Sequence, residues 1–473
     1  MPTNLARQLL RTCVLKTNAY WPFRQCSRAT YAAAIKAFLI MLRGSKQIAD
    51  IYLRNGMTES GWIPGLSDID LILVLRNNLS EEQEYDFLAS FWKAYQSLRF
   101  CFPMLGEVDI LDESAFAPWL AHSSLSPEKR GWILLHGRGE ADLAFDGCSG
   151  WRRRALNNAI CIYLDLFVPC FAMPDSFTHR LDLQRRARKI LRLLQPIFAE
   201  AGQTTEFGPY TDPIDLMANV LVALEKAVAL VASESGPEHE ASAWQVNESN
   251  RDEPLPIPPC AQYIRSVVIL KDRKVWMLLK DGLERREIHR VILACQGSWQ
   301  SSYEAPVVVP FSLFAHIVRD YYPYDYSNLQ RHRQVAFGTD PLSDIAPPDR
   351  ARFVNHAMDH IPNALKYAGS EELFALGGNK HLLPFESSLN RALSVRLLLG
   401  DDWTRPDWKD VVAQCRAAFP ECFRMLEDIN NEIKSGRRKS ARETSFRLFR
   451  PIATSIQDLL VERKQAVLGS SAA

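Results

Sequence analysis

The sequence lacks several features that would assign it to a specialised class. The formal net charge of its 473 residues is only +1, so the strongly basic surface of a protein that coats a nucleic-acid duplex is missing. Ten cysteines occur without a C-x-x-C pair, which argues against a zinc site or a disulfide framework. No apolar run reaches the roughly 18 residues of a membrane span, and no secretory signal is evident. We therefore expect a cytoplasmic protein without a membrane segment and without an extended nucleic-acid footprint.

The length of the chain predicts two or three domains, because a single core rarely serves so many residues. The fold class that we expect is α+β, with a small mixed sheet and flanking helices first and a mostly helical region with a small antiparallel sheet after it. No internal repeat is evident, and residues rich in Ser, Glu and Pro indicate a flexible linker or insertion. The predicted parts are a domain with N-terminal helices at 1–147, a helical bundle at 148–232, the linker at 233–259, the small antiparallel sheet at 260–300 and a helical C-terminal domain at 301–473.

The most informative segment is an acidic motif at the start of an apolar strand. Residues 56–70 read GMTESGWIPGLSDID, and the strand-like run LILVL follows at once. A second short strand, GEVDI, carries Glu107 and Asp109. Alternate residues of a strand share a face about 6.6 Å apart, so Asp68 and Asp70 point the same way, and the other two acids also share a face. Pairing of the two strands would bring both sets together.

Such a group of carboxylates is typical of a site for divalent ions. The acids repel one another and resist ionisation unless a cation neutralises them. Magnesium suits this role, because it takes oxygen ligands and bridges carboxylates to phosphates, and two ions can stabilise both oxygens of an in-line displacement. The loop around Gly56 and Ser67 could donate backbone N–H groups to phosphate oxygens. The plain alternative is a solvated strand end with scattered surface acids.

These residues resemble the nucleotidyltransferase superfamily with the DNA-polymerase-β-type catalytic fold, nearest to its minimal and aminoglycoside-type members. The resemblance covers about residues 30–147. Tyr52-Leu53-Arg54-Asn55-Gly56-Met57 takes the place of the hydrophobic-Gly-Ser loop, SDIDL at 67–71 that of Asp-x-Asp, and VDI at 108–110 that of the third carboxylate. The resemblance implies transfer of a nucleoside monophosphate from a nucleoside triphosphate, ATP by default, to a hydroxyl of a small molecule or protein, with release of pyrophosphate.

The resemblance also implies the roles of individual residues. Asp68, Asp70 and Asp109 would be the catalytic ligands of two magnesium ions, and Asp109 or Glu107 would deprotonate the acceptor. The residues that would bind the nucleotide are Gly56, Met57, Thr58, Ser67 and, from the following helical region, Lys189. Met57 departs from the family pattern, which has a serine there, and either the Thr58 hydroxyl or the backbone would have to replace it.

Two other functions stay open at this point. A non-catalytic descendant could use the fold as a regulatory or binding module, which Met57 favours and the intact set of acids disfavours. An enzyme that modifies nucleic-acid ends or synthesises oligonucleotides could use the basic segment at 434–450, which interleaves Phe446 and Phe449 with seven basic residues.

Overall fold

The structure is a computed structural model, a mixed α+β architecture with two small mixed sheets. The chain divides into two compact units. The first unit comprises residues 1–149, 357–404 and 409–473, and the second comprises 150–356 and 405–408. The five-part division predicted from the sequence stays a prediction. The structure describes residues 13–14, 16–17, 20–54, 64, 67–122, 132–139, 150–171, 177–203, 212–232, 260–270, 274–296, 306–349, 351–356, 359, 393, 397, 408–437, 441, 443–448, 450–452 and 454–456.

The N-terminal part of the first unit alternates helices and strands. Its elements are α1 (Trp21–Met41), β1 (Ile48–Arg54), β2 (Ile69–Leu75), α2 (Glu81–Cys101), β3 (Leu105–Asp112), α3 (Glu113–His122) and β4 (Ile133–His136). Among the described residues, its strands form one four-stranded sheet in the order β3-β2-β1-β4. Strand β1 is antiparallel to both β2 and β4, whereas β2 and β3 are parallel. The small mixed sheet predicted from the sequence is thus confirmed.

Burial explains why these segments form strands. Every residue of β2 except Asp70 is buried, as expected for a central strand that is covered on both faces. Helix α2 begins with a capping box, in which the Ser80 side chain accepts the N–H of Gln83 and the Gln83 side chain accepts the N–H of Ser80. Aromatic side chains of α2 then pack against α1, with the rings of Phe38 and Tyr95 5.9 Å apart.

The second unit begins with helices and continues into a second sheet. Its elements are α4 (Trp151–Cys161), a π-helical turn (Ile162–Phe167), α5 (Val168–Phe171), α6 (Phe177–Glu200), α7 (Pro213–Ala232), β5 (Ile264–Ile269), β6 (Val275–Leu279), α8 (Arg285–Gln296), β7 (Val307–Pro310), α9 (Phe311–His316), a second π-helical turn (Ile317–Tyr321), α10 (Tyr324–His332) and β8 (Gln334–Gly338). The helices and the sheet share one hydrophobic core, to which Leu194, Leu221 and Val268 contribute fully buried side chains. Two further helices, α11 (Trp408–Ala418) and α12 (Pro420–Lys434), follow in the C-terminal region.

The prediction of a small antiparallel sheet at 260–300 is wrong. Strands β5 to β8 form a mixed sheet in the order β7-β6-β5-β8, which extends to residue 338 and contains the parallel pair β6 and β7. The segment HRVILAC lies in helix α8 and is not a strand. The buried residues of helix α8, Ile288, Val291 and Ile292, follow the i, i+3, i+4 spacing of a helix. Their β-branched side chains are typical of strands, which is why a strand was predicted here. Within the described part of the chain, no helix is both long and apolar enough to cross a bilayer.

Candidate functional site

A buried arginine lies at the centre of the acidic residues in the first unit. Arg54 is the last residue of β1, is paired with Asp70 across the sheet, and is only 6% exposed. Its Nη1 donates a hydrogen bond to Oδ2 of Asp109 at 2.5 Å, and its Nη2 donates one to Oε2 of Glu107 at 3.3 Å. The same Nη2 lies 4.0 Å from Oδ2 of Asp70. Strands β2 and β3 therefore direct three carboxylates at the guanidinium group that β1 carries.

An irregularity in β3 allows the acids to approach each other. The register moves from Ile69↔Leu105 to Leu71↔Val108, so β3 holds one extra residue there, as in a β-bulge. Gly106 lies in this extra step, and a Cβ atom on it would overlap the Asp70 carboxylate. With glycine there, the N–H of Glu107 donates to Oδ1 of Asp70 at 3.2 Å. The glycine thus permits a contact that a larger residue would block.

The remaining predicted site residues are distributed as follows. Asp68 is exposed and directly precedes β2, and the carbonyl of Ser67 accepts a hydrogen bond from the Tyr31 hydroxyl at 2.6 Å. Lys189 is exposed on α6 of the second unit. Gly56, Met57 and Thr58 lie outside the described residues, so the roles predicted for them stay predictions.

Sequence reasoning gave Arg54 no role of its own. Its signal was present, because an arginine ends the mostly apolar strand IADIYLR at the point where Asp70 is expected on the partner strand. A buried arginine needs a carboxylate, and a buried carboxylate such as Asp109 needs a cation. The hydrogen bond between Arg54 and Asp109 satisfies both requirements.

The donor set fits a magnesium ion in a limited sense. Magnesium commonly uses one or two carboxylates and completes its shell with waters and phosphate oxygens. Asp68 and Asp70 are hard oxygen donors with exposed surface, and the three carboxylates around Arg54 outweigh its single positive charge. Asp109 differs from them, because it is buried and one of its oxygens accepts a hydrogen bond from Arg54. The three predicted ligands do not bring their oxygens within 4.8 Å of one another in the described structure.

Among the described residues, the three side chains that meet this criterion are Asp212, Asp215 and His289 of the second unit. Their contacts have another explanation. Oδ2 of Asp212 accepts the N–H groups of Ile214 and Asp215 at 3.0 Å each, which caps α7. Nδ1 of His289 lies 3.0 Å from Oδ1 of Asp215. A helix cap and one side-chain hydrogen bond therefore account for this cluster.

The basic C-terminal segment contacts helix α2 within the first unit. Nε of Arg450 lies 3.0 Å from Oε2 of the buried Glu84, and Nε of Arg447 lies 3.4 Å from Oε1 of Glu81. Some of the positive charge in this segment is thus matched by the acidic first turn of α2. Less of it remains for a nucleic-acid backbone.

No protein-family model, curated protein or solved structure matches this chain. Functional inference therefore depends on the residues of the site.

Proposed function

We propose that the protein is a magnesium-dependent nucleotidyltransferase that moves a nucleoside monophosphate from a nucleoside triphosphate, by default ATP, to a hydroxyl of a small molecule or protein. The observation that carries this proposal is the convergence of Asp70 and Asp109, from two parallel neighbouring strands, on Arg54. A mixed sheet with these acids at one end agrees with the resemblance found in the sequence. Such convergence would not be expected of scattered surface acids.

The residues have distinct roles in the proposed reaction. Asp68 and Asp70 hold the magnesium, which when bound offsets the negative charge of the triphosphate. Arg54 fixes the Asp109 carboxylate through a hydrogen bond from its Nη1. The side chain of Glu107 is 76% exposed, so it can reach an incoming acceptor and take the proton from its hydroxyl more readily than the buried Asp109. The acceptor oxygen then attacks the α-phosphorus, and pyrophosphate leaves.

A second candidate function is a non-catalytic binding module. The contacts of Arg54 favour it, because an internal cation already neutralises part of the acidic cluster. Met57 in place of the serine of the family pattern points the same way. An enzyme that acts on nucleic-acid ends is less favoured, since Arg447 and Arg450 contact acids of α2.

The test is a transfer assay with the full chain, magnesium and each labelled nucleoside triphosphate. We expect pyrophosphate release and label transfer, and a loss of about 100-fold or more in Asp70→Asn, because a first ligand of the metal is removed. The control is Glu421→Gln, an exposed acid on α12. Transfer at the wild-type rate in Asp70→Asn would refute the roles assigned here.

The same assay separates the alternatives. If no pyrophosphate is released but nucleotide raises the melting temperature, the binding module is favoured. Label on added RNA or DNA would instead favour an enzyme that modifies nucleic-acid ends.

A further inference from the structure

The two sheets share more than the order of their strands. In both, the first strand is antiparallel to the second and to the fourth, and the second is parallel to the third. The first pair, Ile48↔Leu75 in one sheet and Ile264↔Leu279 in the other, is followed by the same register shift. The four consecutive pairs after the shift then match position by position. Two unrelated sheets would have no reason to repeat an irregularity at the same place.

The fourth strand repeats a second irregularity. Gly137 directly follows β4, and Gly338 ends β8, with φ angles of +96° and +79°. A Cβ atom at Gly137 would overlap the carbonyl oxygen of Ala49, and one at Gly338 would overlap that of Arg265. Ala49 and Arg265 are each the second residue of the first strand of their sheet. Both glycines are therefore required by the same close approach of the backbone.

The turn after the second strand is also shared. Asn77 lies two residues after β2, and its Oδ1 accepts the N–H of Ser114 at 2.9 Å. Asp281 lies two residues after β6, and its Oδ1 accepts the N–H of Ser312 at 2.8 Å. The two serines are each the second residue of the helix that follows the third strand. One side chain thus ties the same turn to the same helix in both sheets.

The helix after this turn begins in the same way. Helices α2 and α8 each begin six residues beyond the end of the preceding strand. The N–H of Ser80 donates to Gln83 at 3.0 Å, and the N–H of Glu284 donates to Glu287 at 2.8 Å. Ser80 and Glu284 are matching positions, because each lies five residues beyond the end of the preceding strand. When the two sheets are aligned by these registers, LRNNL at 75–79 corresponds to LKDGL at 279–283. In the same alignment SAFA at 114–117 corresponds to SLFA at 312–315.

We infer that residues 264–338 are a second copy of the fold formed by residues 48–137, and that this copy has lost the acid site. The registers identify the replaced residues. Lys274 takes the position of Asp70, because it pairs with Leu270 as Asp70 pairs with Arg54. Val307 takes the position of Asp109.

The position of Val307 follows from the parallel pairs. Asp109 is opposite Ile72, and Val307 is opposite Trp276, which occupies the place of Ile72 in the second sheet. The arginine and two of the acids, Asp70 and Asp109, are thus replaced in the second copy.

The replacements remove the chemistry that a metal site needs. Lys274 carries a positive charge that repels a divalent cation, and the side chains of Val307 and Leu270 offer no ligand. The second copy is therefore non-catalytic, and its sheet serves as the support for α4 to α7, with which it shares one hydrophobic core. This division of roles rests on the proposed function, whereas the repeated fold does not.

Manganese binding to the full chain, followed by electron paramagnetic resonance, tests the division of roles. We expect Asp70→Asn combined with Asp109→Asn to abolish binding, and Lys274→Ala to leave its affinity and stoichiometry unchanged. Circular dichroism establishes that both variants fold. Binding that Lys274→Ala abolishes in a folded protein would overturn the assignment of the second copy as non-catalytic.

An experimental structure of the full chain tests the repeated fold independently. Superposition of residues 264–338 on 48–137 with the same strand order and the same bulges would support it, and a different order or strand direction would overturn it. If the wild-type protein binds no manganese while the two segments superpose, the proposed function fails and the second copy stands. The two failures are therefore distinguishable.

Discussion

The two sheets combine one backbone design with opposite chemistry at one end. In the first, Asp70, Glu107 and Asp109 surround Arg54, and in the second the matching ends of the strands carry Leu270, Lys274 and Val307. Both have a glycine at the end of the fourth strand, a side-chain acceptor that ties the turn, and the same spacing to the start of the following helix. Features that satisfy the backbone are thus kept, whereas features that only a ligand would need are present once.

The comparison also explains why Arg54 and Asp109 differ together from their counterparts. A buried arginine or carboxylate that loses its partner is costly, whereas an apolar pair of similar volume is tolerated well. Leu270 and Val307 place two apolar, partly buried side chains at the matching positions. The two copies therefore represent the two stable solutions for these positions, and a mixed solution should be unstable.

The largest effect that we predict tests the shared backbone. Gly137→Ala and Gly338→Ala should each destabilise the protein by about 4 kcal/mol, because each adds about 1–3 kcal/mol of backbone strain and a similar amount for overlap with a carbonyl oxygen. Urea unfolding followed by circular dichroism measures both losses. If one variant is tolerated and the other is not, the two glycines do not have the same role.

Two other glycines provide matched controls. Gly44 and Gly282 also have positive φ angles, of +83° and +73°, but a Cβ atom on either would meet nothing within 4 Å. Alanine there should therefore cost only about 1 kcal/mol, from conformational strain alone.

The sequence allowed part of this comparison to be predicted. The strands of the first sheet could be found because apolar runs such as LILVL are bounded by charged or turn-forming residues. The acids could be expected at one end of that sheet because they lie on two short strands, and pairing of those strands brings them together. Arg54 was missed because a single charged residue at the end of a strand looks like an ordinary exposed terminus until its partners are known.

The second copy could not be predicted because the sheets share few identical residues. Its constraints act on the backbone, and several side chains satisfy them equally well. Asn77 and Asp281 accept the same hydrogen bond, as do Gln83 and Glu287, although the residues differ. Identical residues therefore give little sign of the repeat, whereas hydrogen-bond acceptors and the direction of the chain are the same in both sheets.

The second prediction converts the first site into the state of the second copy. Arg54→Leu should destabilise the protein by about 3 kcal/mol, because it leaves the carboxylate of Asp109 buried without its cation. Magnesium should restore part of this loss if the acids bind it, which urea unfolding with magnesium and with EDTA would reveal. The double variant Arg54→Leu/Asp109→Val reproduces the apolar pair and should lie within about 1 kcal/mol of wild type. A double variant no more stable than Arg54→Leu would contradict the correspondence with Leu270 and Val307.

The third prediction is a pH effect that belongs to the second unit. Asp320 lies 2.7 Å from Arg352, 3.1 Å from Arg319 and 3.4 Å from His316. Burial raises the pKa of Asp320, but the hydrogen bond and charge of His316 and the charges of the two arginines outweigh it and hold this pKa below its usual value. By the same residue count from Ser312 and Ser114, the position of Asp320 corresponds to His122 in the first copy.

The sign of the effect follows from this lowered pKa. As the pH falls, the Asp320 carboxylate is protonated in the unfolded chain near its ordinary pKa of about 4, and in the folded chain only at a lower pH. The stability that this carboxylate contributes above pH 4 is therefore lost as the pH falls further. Asp320→Asn should cost about 2 kcal/mol at pH 7 and less at pH 3, since hydrogen bonds to a charged group are lost only where the group is charged. Urea unfolding at both pH values measures the difference. An equal cost at pH 7 and pH 3 would exclude the ionised carboxylate as the cause, and Asp344→Asn, at an exposed ion pair with Arg265, is the control.

The smallest predicted effect is the most specific test of the repeat. Asn77→Ala and Asp281→Ala should each cost about 1 kcal/mol, because each removes the acceptor for the first turn of the helix that follows. Asp281→Asn should be nearly neutral, since the amide oxygen can still accept the bond. Asn77→Asp should cost more than Asp281→Asn. The carboxylate of Glu113 accepts the N–H of residue 77, so the new carboxylate at position 77 would lie close to it and be repelled. Thermal unfolding of the four variants measures these differences. If alanine is tolerated at one of the two positions and costly at the other, the turns do not share one design.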